Sequence, residues 1–359
     1  MANYKKILIA LLLLFLFPFL RSEDKKALAF YPYGAYSKET GGFLGGYMLY
    51  IYRPNKLPEN YKPSSLELDL MFSFKQQLRI LVRNKLNLSD GRYGIGIPIR
   101  YFNWPTTYFG IGNQKKTDKM EKYTKLLYEF YPYFEYHFQK IFVLAASVYL
   151  ENNKITKSEN DNDLLNDDIA GFEDYFLSGI EIKLGRLTTD NNFFPTRGSD
   201  IALSTKLYHK FLGSDYGFRN LTLDFRKYFP VSDDQTLAAQ VLLNSLNGDP
   251  PFEKLPDLGN EMRGFDDNVY INDHYFLCRL ENRIFPWHKD LWRRIGFAGF
   301  LESGQSFHTF SGIKSVNEKF SAGLGLRFIL LPSEKFTLRC DAAWSRDGYE
   351  IEITSYEAF

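Results

Sequence analysis

This chain of 359 residues contains few cysteines and histidines, and its net charge is close to zero. It contains 2 cysteines, Cys278 and Cys340, and 5 histidines. Two thiols cannot by themselves form a disulfide framework or a four-ligand zinc site. The 44 Lys and Arg residues are balanced by 43 Asp and Glu residues, so the chain lacks the basic excess typical of nucleic-acid-binding proteins. We therefore expect no nucleic-acid partner.

Long apolar runs are also missing, except near the N-terminus. The mean hydropathy of −0.31 excludes a protein with many membrane-spanning helices. The exception, 7–20, follows Lys5 and Lys6 and is shorter than the roughly 20 residues of a membrane-spanning helix. A basic start, an apolar stretch and a small residue near its end are typical of a secretory signal peptide. We predict a signal peptide over 1–22 and an exported domain over 23–359; an uncleaved anchor is the alternative.

No pattern of catalytic or metal-binding residues stands out. The histidines fall singly along the chain, and none forms a His-x-x-x-His pair. A Ser–His pair on neighbouring strands is the one enzymatic alternative that sequence leaves open. The acidic stretch 159–168 lacks the glycine of a calcium loop and is better interpreted as a solvated loop. We expect neither an enzyme nor a metal or cofactor site.

Aromatic residues, by contrast, are abundant: 33 Phe, 25 Tyr and 4 Trp make up 17% of the chain. After residue 20, apolar residues alternate with polar ones instead of recurring at helical spacing. Phe320, Leu324 and Phe328, for example, share one face, while Ser321 and Arg327 share the other. Successive side chains of a strand point to opposite faces, so this alternation predicts strands with one apolar and one polar face.

The alternating runs predict about 16 strands. They lie near 27–37, 42–53, 65–75, 77–88, 92–103, 124–138, 140–151, 174–186, 199–211, 217–230, 235–247, 271–286, 293–303, 319–331, 335–346 and 349–359. Most are longer than the about 5–6 residues of strands in soluble proteins and suit the about 9–11 residues of a tilted membrane-spanning strand. The predicted turns alternate between short ones and long loops, the longest being 248–270.

This pattern predicts an all-β fold, a transmembrane antiparallel β-barrel of the bacterial cell outer membrane. A closed sheet pairs every backbone amide and carbonyl within hydrocarbon, and its apolar face meets the membrane lipid while its polar face lines the lumen. Tyrosine and tryptophan near the strand ends suit the two membrane interfaces; these are Tyr50, Tyr52, Tyr101, Trp104, Tyr228 and Trp287. A large soluble β-sandwich is the alternative.

Four passages carry a resemblance to a known family. They are Phe109-Gly-Ile-Gly-Asn113, Asn192-Phe-Phe-Pro-Thr-Arg-Gly198, Gly248-Asp-Pro-Pro-Phe252 continuing to Met262-Arg-Gly-Phe265, and the ending Tyr356-Glu-Ala-Phe359. Together they resemble the barrel domain of the BamA/TamA outer-membrane assembly factors, also called bacterial surface antigen domains. The resemblance spans most of the exported chain, and the predicted strand number is that of the family barrel.

The resemblance implies that a long sixth external loop folds back into the lumen with Arg263 at its tip. Gly264 would let the tip turn tightly, and Phe265 would pack against the lumen wall. The expected partners of Arg263 are Glu281 and Glu302, the latter standing where family members usually carry an aspartate. The alternative is that Arg263 is a solvated loop arginine.

Two further parts of the resemblance concern a turn and the C-terminus. Phe194, Pro195, Arg197 and Gly198 belong to the passage that resembles the family's characteristic turn. The terminal Phe359, at the end of the predicted last strand, resembles the sorting signal read by the barrel-assembly machinery, which would then insert this chain.

The resemblance implies a function at the outer membrane, in the assembly or translocation of client membrane proteins. Assembly factors of the family carry periplasmic modules before the barrel, whereas only 23–26 separate the predicted signal peptide from the first predicted strand. We therefore expect a barrel without such modules. A passive pore or a surface-exposed structural barrel without assembly activity is the alternative function.

Overall fold

The protein folds into one large antiparallel sheet. The computed structural model describes residues 19–23, 26–37, 41–53, 63–88, 91–115, 120–139, 141–158, 169–191, 193–289 and 291–359. The strands are β1 Phe19–Glu23, β2 Lys26–Ser37, β3 Gly41–Tyr52, β4 Ser64–Ser73, β5 Leu78–Leu88, β6 Tyr93–Gly96, β7 Ile99–Tyr108, β8 Glu121–Phe130, β9 Tyr133–Phe138, β10 Phe142–Ser158, β11 Tyr175–Leu187, β12 Gly198–Tyr208, β13 Gly217–Ser232, β14 Gln235–Asp249, β15 His274–Ile284, β16 Ile295–Phe307, β17 Lys319–Leu331, β18 Phe336–Ser345 and β19 Gly348–Ser355.

Helical structure is confined to short turns. The one α-helical turn, α1, spans Leu258–Glu261 in the described part of the chain. None of the described helices is long and apolar enough to span a bilayer.

Two of the predicted strands are each broken in two by a proline. The predicted strand 92–103 is β6 and β7, which follow each other along the same edge of β5 and are separated at Ile97 and Pro98. Proline has no N–H to give to a ladder, and the side chain of Asn84 instead bonds the backbone of Ile97 in both directions at 2.8 Å. The predicted strand 124–138 is likewise β8 and β9, separated at Tyr131 and Pro132.

The ends of the chain also differ from the prediction. The last strand, predicted over 349–359, ends at Ser355, after which Tyr356 takes a positive φ of 71° that turns the chain away from the sheet. The predicted signal peptide over 1–22 lies outside the described residues except for 19–22, which belong to β1. Its cleavage stays a prediction.

The sheet buries charged side chains on its inner face and exposes apolar side chains on its outer face, the opposite of a water-soluble protein. On β15, Arg279, Glu281 and Arg283 face inward and are 8%, 0% and 1% exposed. On the outer face of β17, Leu324 is 65% exposed. Burying charges while exposing leucine suits a barrel surrounded by lipid and excludes the soluble β-sandwich.

The barrel wall has two ends, at β2 and at β19, and the gap between them is here called the seam. Ladders of paired residues join β2 to β3 and continue to β18 and β19, with β6–β7 and β8–β9 each taking one place. β19 is the other end of this wall, and in the described residues no pairing joins it to β2, whose Ala29 and Tyr31 pack in one core with Leu331 and Phe336 from the end of β17 and the start of β18. The outer edge of β2 pairs instead with β1, from Phe19 opposite Phe30 to Glu23 opposite Lys26.

Candidate functional site

Arg263 lies in the barrel lumen, at the tip of the long loop 250–273 between β14 and β15, here called loop 6. Its Nε donates to Glu302 Oε1 at 2.7 Å, and its Nη1 donates to Glu281 Oε2 at 2.7 Å and to Asp341 Oδ2 at 2.8 Å. Its guanidinium carbon lies 3.4 Å from the centroid of the Phe300 ring. One buried cation therefore connects β15, β16 and β18.

The period of the strands explains why these acids converge. Glu281, Glu302 and Asp341 occupy inward positions of their strands, where alternate side chains share one face. The structure places Glu281 and Glu302, the two expected partners, on either side of Arg263, and Arg263 is 7% exposed rather than solvated. The contact of Asp341 with Arg263 was not predicted, although Asp341 and Arg339 share the polar face of a predicted strand.

Gly264 brings the loop tip close to the lumen wall. It has a φ of +85°, and a Cβ at this position would lie 3.2 Å from the Cβ of Ala343. Its N–H donates to Glu350 Oε2 at 3.1 Å, and its carbonyl accepts from Ser345 Oγ at 2.6 Å. Only glycine adopts this backbone conformation at low cost, so the tip can lie against β18 and β19.

Phe265 belongs to a small hydrophobic core inside the lumen. The ring packs edge-on against Tyr270, with 5.7 Å between centroids. The buried members of this core are Phe109, Leu242, Leu258, Met262, Phe265, Val269, Tyr270, Tyr275 and Leu277. Loop 6 is thus held by apolar packing in addition to the ion pairs of Arg263.

Asp257 organises the backbone of loop 6. Its carboxylate accepts from the N–H groups of Gly259 at 2.9 Å and Asn260 at 3.3 Å, which caps α1, and from that of Asn268 at 2.7 Å. Burial nevertheless raises the pKa of Asp257 to about 7, because desolvation of the charged form outweighs these hydrogen bonds.

The raised pKa predicts that loop 6 is held more firmly in mild acid. Between about pH 4 and about pH 7, Asp257 keeps its proton in the folded loop and loses it in the unfolded loop, so rising pH favours opening; above this window the effect levels off. We expect amide hydrogen exchange of Gly259 and Asn268 to show this loss of protection. In Asp257→Asn the pH dependence should shrink, and an unchanged pH profile in that variant would contradict the assignment.

The start of loop 6 is held by the opposite wall of the barrel. Glu253 accepts from Tyr123 Oη at 3.0 Å and Tyr175 Oη at 3.1 Å and pairs with Lys125 at 2.9 Å. The next residue, Lys254, pairs with Glu151 on β10. Loop 6 therefore crosses the lumen between two charged attachments. Sequence analysis missed this second one, because nothing in the pattern indicated where 250–255 would lie.

The passage Phe109–Asn113 packs against loop 6 from the side. Gly112 donates its N–H to the carbonyl of Ile271 at 2.8 Å, and Ile111 and Ile271 form a parallel bridge. Asn113 Oδ1 accepts from Ser306 Oγ at 2.6 Å. A passage noticed for its glycines thus serves to support the loop.

The turn between β11 and β12 reaches under the lumen. Phe194 is buried and packs edge-on against Phe285, with 5.2 Å between centroids; Pro195 beside it is also buried. Gly198 has a φ of +101°, and a Cβ there would lie 2.3 Å from the carbonyl oxygen of Thr188. The side chain of Arg197 is exposed, so it takes no part in this packing.

The C-terminal tail, Tyr356–Phe359, folds into the lumen. Phe359 is 4% exposed and packs with Tyr228 and Ala238, and its carbonyl oxygen accepts from Arg283 Nη2 at 3.0 Å. Tyr356 stacks on Phe193 of the β11–β12 turn, with 5.6 Å between centroids. The expectation that Phe359 ends the last strand is wrong, because the strand stops four residues earlier.

Glu357 connects the tail to the network around Arg263. It accepts from Arg327 Nε at 2.8 Å and lies 3.5 Å from Arg283 Nε. Arg327 and Arg283 both contact Oε1 of Glu281, whose other oxygen binds Arg263. We call this set of side chains the lumen network: Arg263, Glu281, Arg283, Glu302, Arg327, Asp341 and Glu357. It links the loop tip and the C-terminus through buried charges.

The lumen network is built for holding segments together. Each carboxylate in it faces at least one guanidinium, and charge-assisted pairs of this kind are strong when desolvated. Within the described ranges, no three His, Cys, Asp or Glu side chains are grouped so as to hold a metal ion.

A lipid-facing antiparallel barrel with a loop folded into its lumen defines an outer-membrane β-barrel. The comparison with protein families narrows this class: residues 61–351 match the Omp85 superfamily domain. The chain belongs to the Omp85 superfamily, and it is a protein of the bacterial cell outer membrane. The predicted fold class, location and resemblance to BamA-type barrels are confirmed.

Solved structures of other barrels have the same fold. BamA from Haemophilus ducreyi lacking POTRA domains 1-3 is 14% identical, with a TM-score of 0.60; the match covers 99% of this chain and 77% of that one. CdiB from Escherichia coli is 13% identical, with a TM-score of 0.62 and coverages of 94% and 62%. CdiB from Acinetobacter baumannii is 11% identical, with a TM-score of 0.56 and coverages of 93% and 60%. No curated protein sequence matches the chain.

Proposed function

We propose that this barrel assists the insertion or translocation of client proteins at the outer membrane, using the seam between β2 and β19. The observation that carries the proposal is the pairing of β2. Its outer edge pairs over five residues in antiparallel register with β1, of which 19–22 belong to the predicted signal peptide, so cleavage would free this edge. An exposed strand edge of this kind can pair with another extended chain by adding a strand to the sheet.

The space beside the seam supports the same proposal. A cavity of about 1030 Å³ lies between β2–β5 and β16–β19, and its lining includes Tyr31 and Tyr33 of β2, Leu326 of β17, and Glu352 and Ser355 of β19. A client strand entering at the seam would have room beside it for side chains. Loop 6 crosses the lumen with charged attachments at both ends, which disfavours the alternative of a passive pore.

The proposal is tested with a variant in which a disulfide bond can lock β2 to β19. Cys278 and Cys340 are replaced by serine, and cysteine pairs are scanned between 28–34 of β2 and 349–353 of β19 for one that crosslinks on oxidation. Insertion of an unrelated small barrel into liposomes is then timed. We expect the reduced protein to accelerate insertion over empty liposomes, and the oxidised protein to lose most of that acceleration.

The control crosslinks the opposite wall, at the directly paired positions Leu203 and Leu223. It should leave the acceleration unchanged. Equal acceleration with the seam open and locked would overturn the role of the seam. No acceleration by any form would overturn assembly activity and favour a pore or a structural barrel.

A further inference from the structure

The turn between β15 and β16 has a composition unlike the neighbouring short turns at the same rim. It spans 285–294 and contains two of the four tryptophans of the chain. Trp287, Leu291 and Trp292 are 38%, 61% and 60% exposed. The adjacent short turn between β13 and β14 consists of Asp233 and Asp234. Such large apolar side chains are costly to expose to water, so this surface needs a cover.

The aromatic side chains of this turn are continuous with the lipid-facing wall. The Trp287 ring lies edge-on to Phe297 of β16, with 5.4 Å between centroids, and 5.8 Å from that of Trp292. Phe297 is 38% exposed and pairs across the sheet with Leu326, which is 53% exposed. The turn therefore extends the apolar belt of the barrel to the rim, where indole rings favour the membrane–water interface.

Three cations share the turn with these rings. Lys289 and Arg293 are exposed, and Arg294 is half-buried. In the described residues none of the three forms an ion pair, whereas the neighbouring His288 is held by Asp234 at 3.3 Å. Cations that have no acidic partner among the described residues, lying beside interfacial tryptophans, match a membrane surface whose head groups are anionic and whose interior is apolar.

We infer that the turn 285–294 binds the head groups of anionic phospholipids in the leaflet on the short-turn side of the barrel. Trp287 and Trp292 lie among the upper acyl chains, and Lys289, Arg293 and Arg294 contact the lipid phosphates. The site holds the barrel in the membrane through a turn three strands away from β19 at the seam, and lipid binding by this turn is distinct from the strand pairing proposed for assembly.

The experiment measures lipid binding to the folded barrel in neutral detergent micelles. Short-chain phosphatidylglycerol, the same chain length of phosphatidylcholine, and inorganic phosphate are titrated separately, and bound lipid is counted by native mass spectrometry. The variant is Lys289→Gln with Arg293→Gln. The matched control is Arg197→Gln with Lys335→Gln, which removes two exposed cations from other turns at the same rim.

We expect the wild-type protein to bind phosphatidylglycerol more tightly than phosphatidylcholine. The Lys289 and Arg293 variant should lose roughly thirtyfold in affinity for phosphatidylglycerol, since each basic residue near an anionic surface contributes about fivefold. The control should bind like the wild type. Equal loss in the control, an unaffected variant, or inorganic phosphate bound as tightly as the lipid would each overturn the inference. Heat-modifiable gel mobility verifies that every variant is folded.

Discussion

Arg263→Ala should be the most damaging single substitution in the lumen. It removes the cation shared by Glu281, Glu302 and Asp341, all three of which are fully buried. Other arginines still contact Glu281 and Asp341, whereas Glu302 keeps, among the described residues, only Arg279 at 3.5 Å. Removing one partner of a buried ion pair costs about 3–5 kcal/mol, because the remaining charge stays desolvated. We expect a lower folded yield, a lower urea midpoint and faster proteolysis of loop 6, measured on protein refolded in micelles.

Two comparisons make this prediction specific. Arg263→Lys keeps the charge but cannot reach Glu281, Glu302 and Asp341 with the same fork of donors, so it should recover only part of the lost stability. Arg197→Ala removes an exposed arginine and should behave like the wild type. A wild-type midpoint in Arg263→Ala would show that the lumen network contributes nothing to holding loop 6.

Removal of 357–359 should be the second large effect. Arg283 and Arg327 would lose Glu357 while remaining buried, which again costs about 3–5 kcal/mol. Both arginines also bind Glu281, which in turn binds Arg263, so the loss of Glu357 should also destabilise loop 6. We expect a lower urea midpoint together with increased hydrogen exchange at Gly264, although no residue of loop 6 has been changed.

Single substitutions separate the two parts of the tail. Glu357→Gln should reproduce most of the effect on loop 6, whereas Phe359→Ala should lower stability by loss of packing against Tyr228 and Ala238. Thr354→Ala, at a half-buried position just before the tail, is the matched control. If Glu357→Gln lowers stability but leaves exchange at Gly264 unchanged, the tail and loop 6 are not coupled.

The two strands divided by prolines show what the alternation of the sequence can and cannot predict in this barrel. Alternation identified the strand positions at 92–103 and 124–138, because it reports which face each side chain occupies. It did not show that Pro98 and Pro132 divide them, although each proline was visible and lacks the N–H that a central strand needs. The tail was misread for another reason. Ser355 and Tyr356 already break the alternation of β19, and the positive φ of Tyr356 directs the tail inward.

The sequence by itself determined the barrel fold and the face of the sheet on which each side chain lies. Both follow from a period of two, which is a local property of an extended chain and needs no knowledge of distant contacts. The inward position of Glu281, Glu302 and Asp341 belongs to this part. What only the tertiary structure decided is which distant segments meet inside. Arg263 and Asp341 are far apart in the chain, as are Glu253 and Tyr123, and Arg283 and Phe359. Loop 6 and the tail have no periodicity to constrain them, so their paths depend on where buried charges find partners once the sheet has formed.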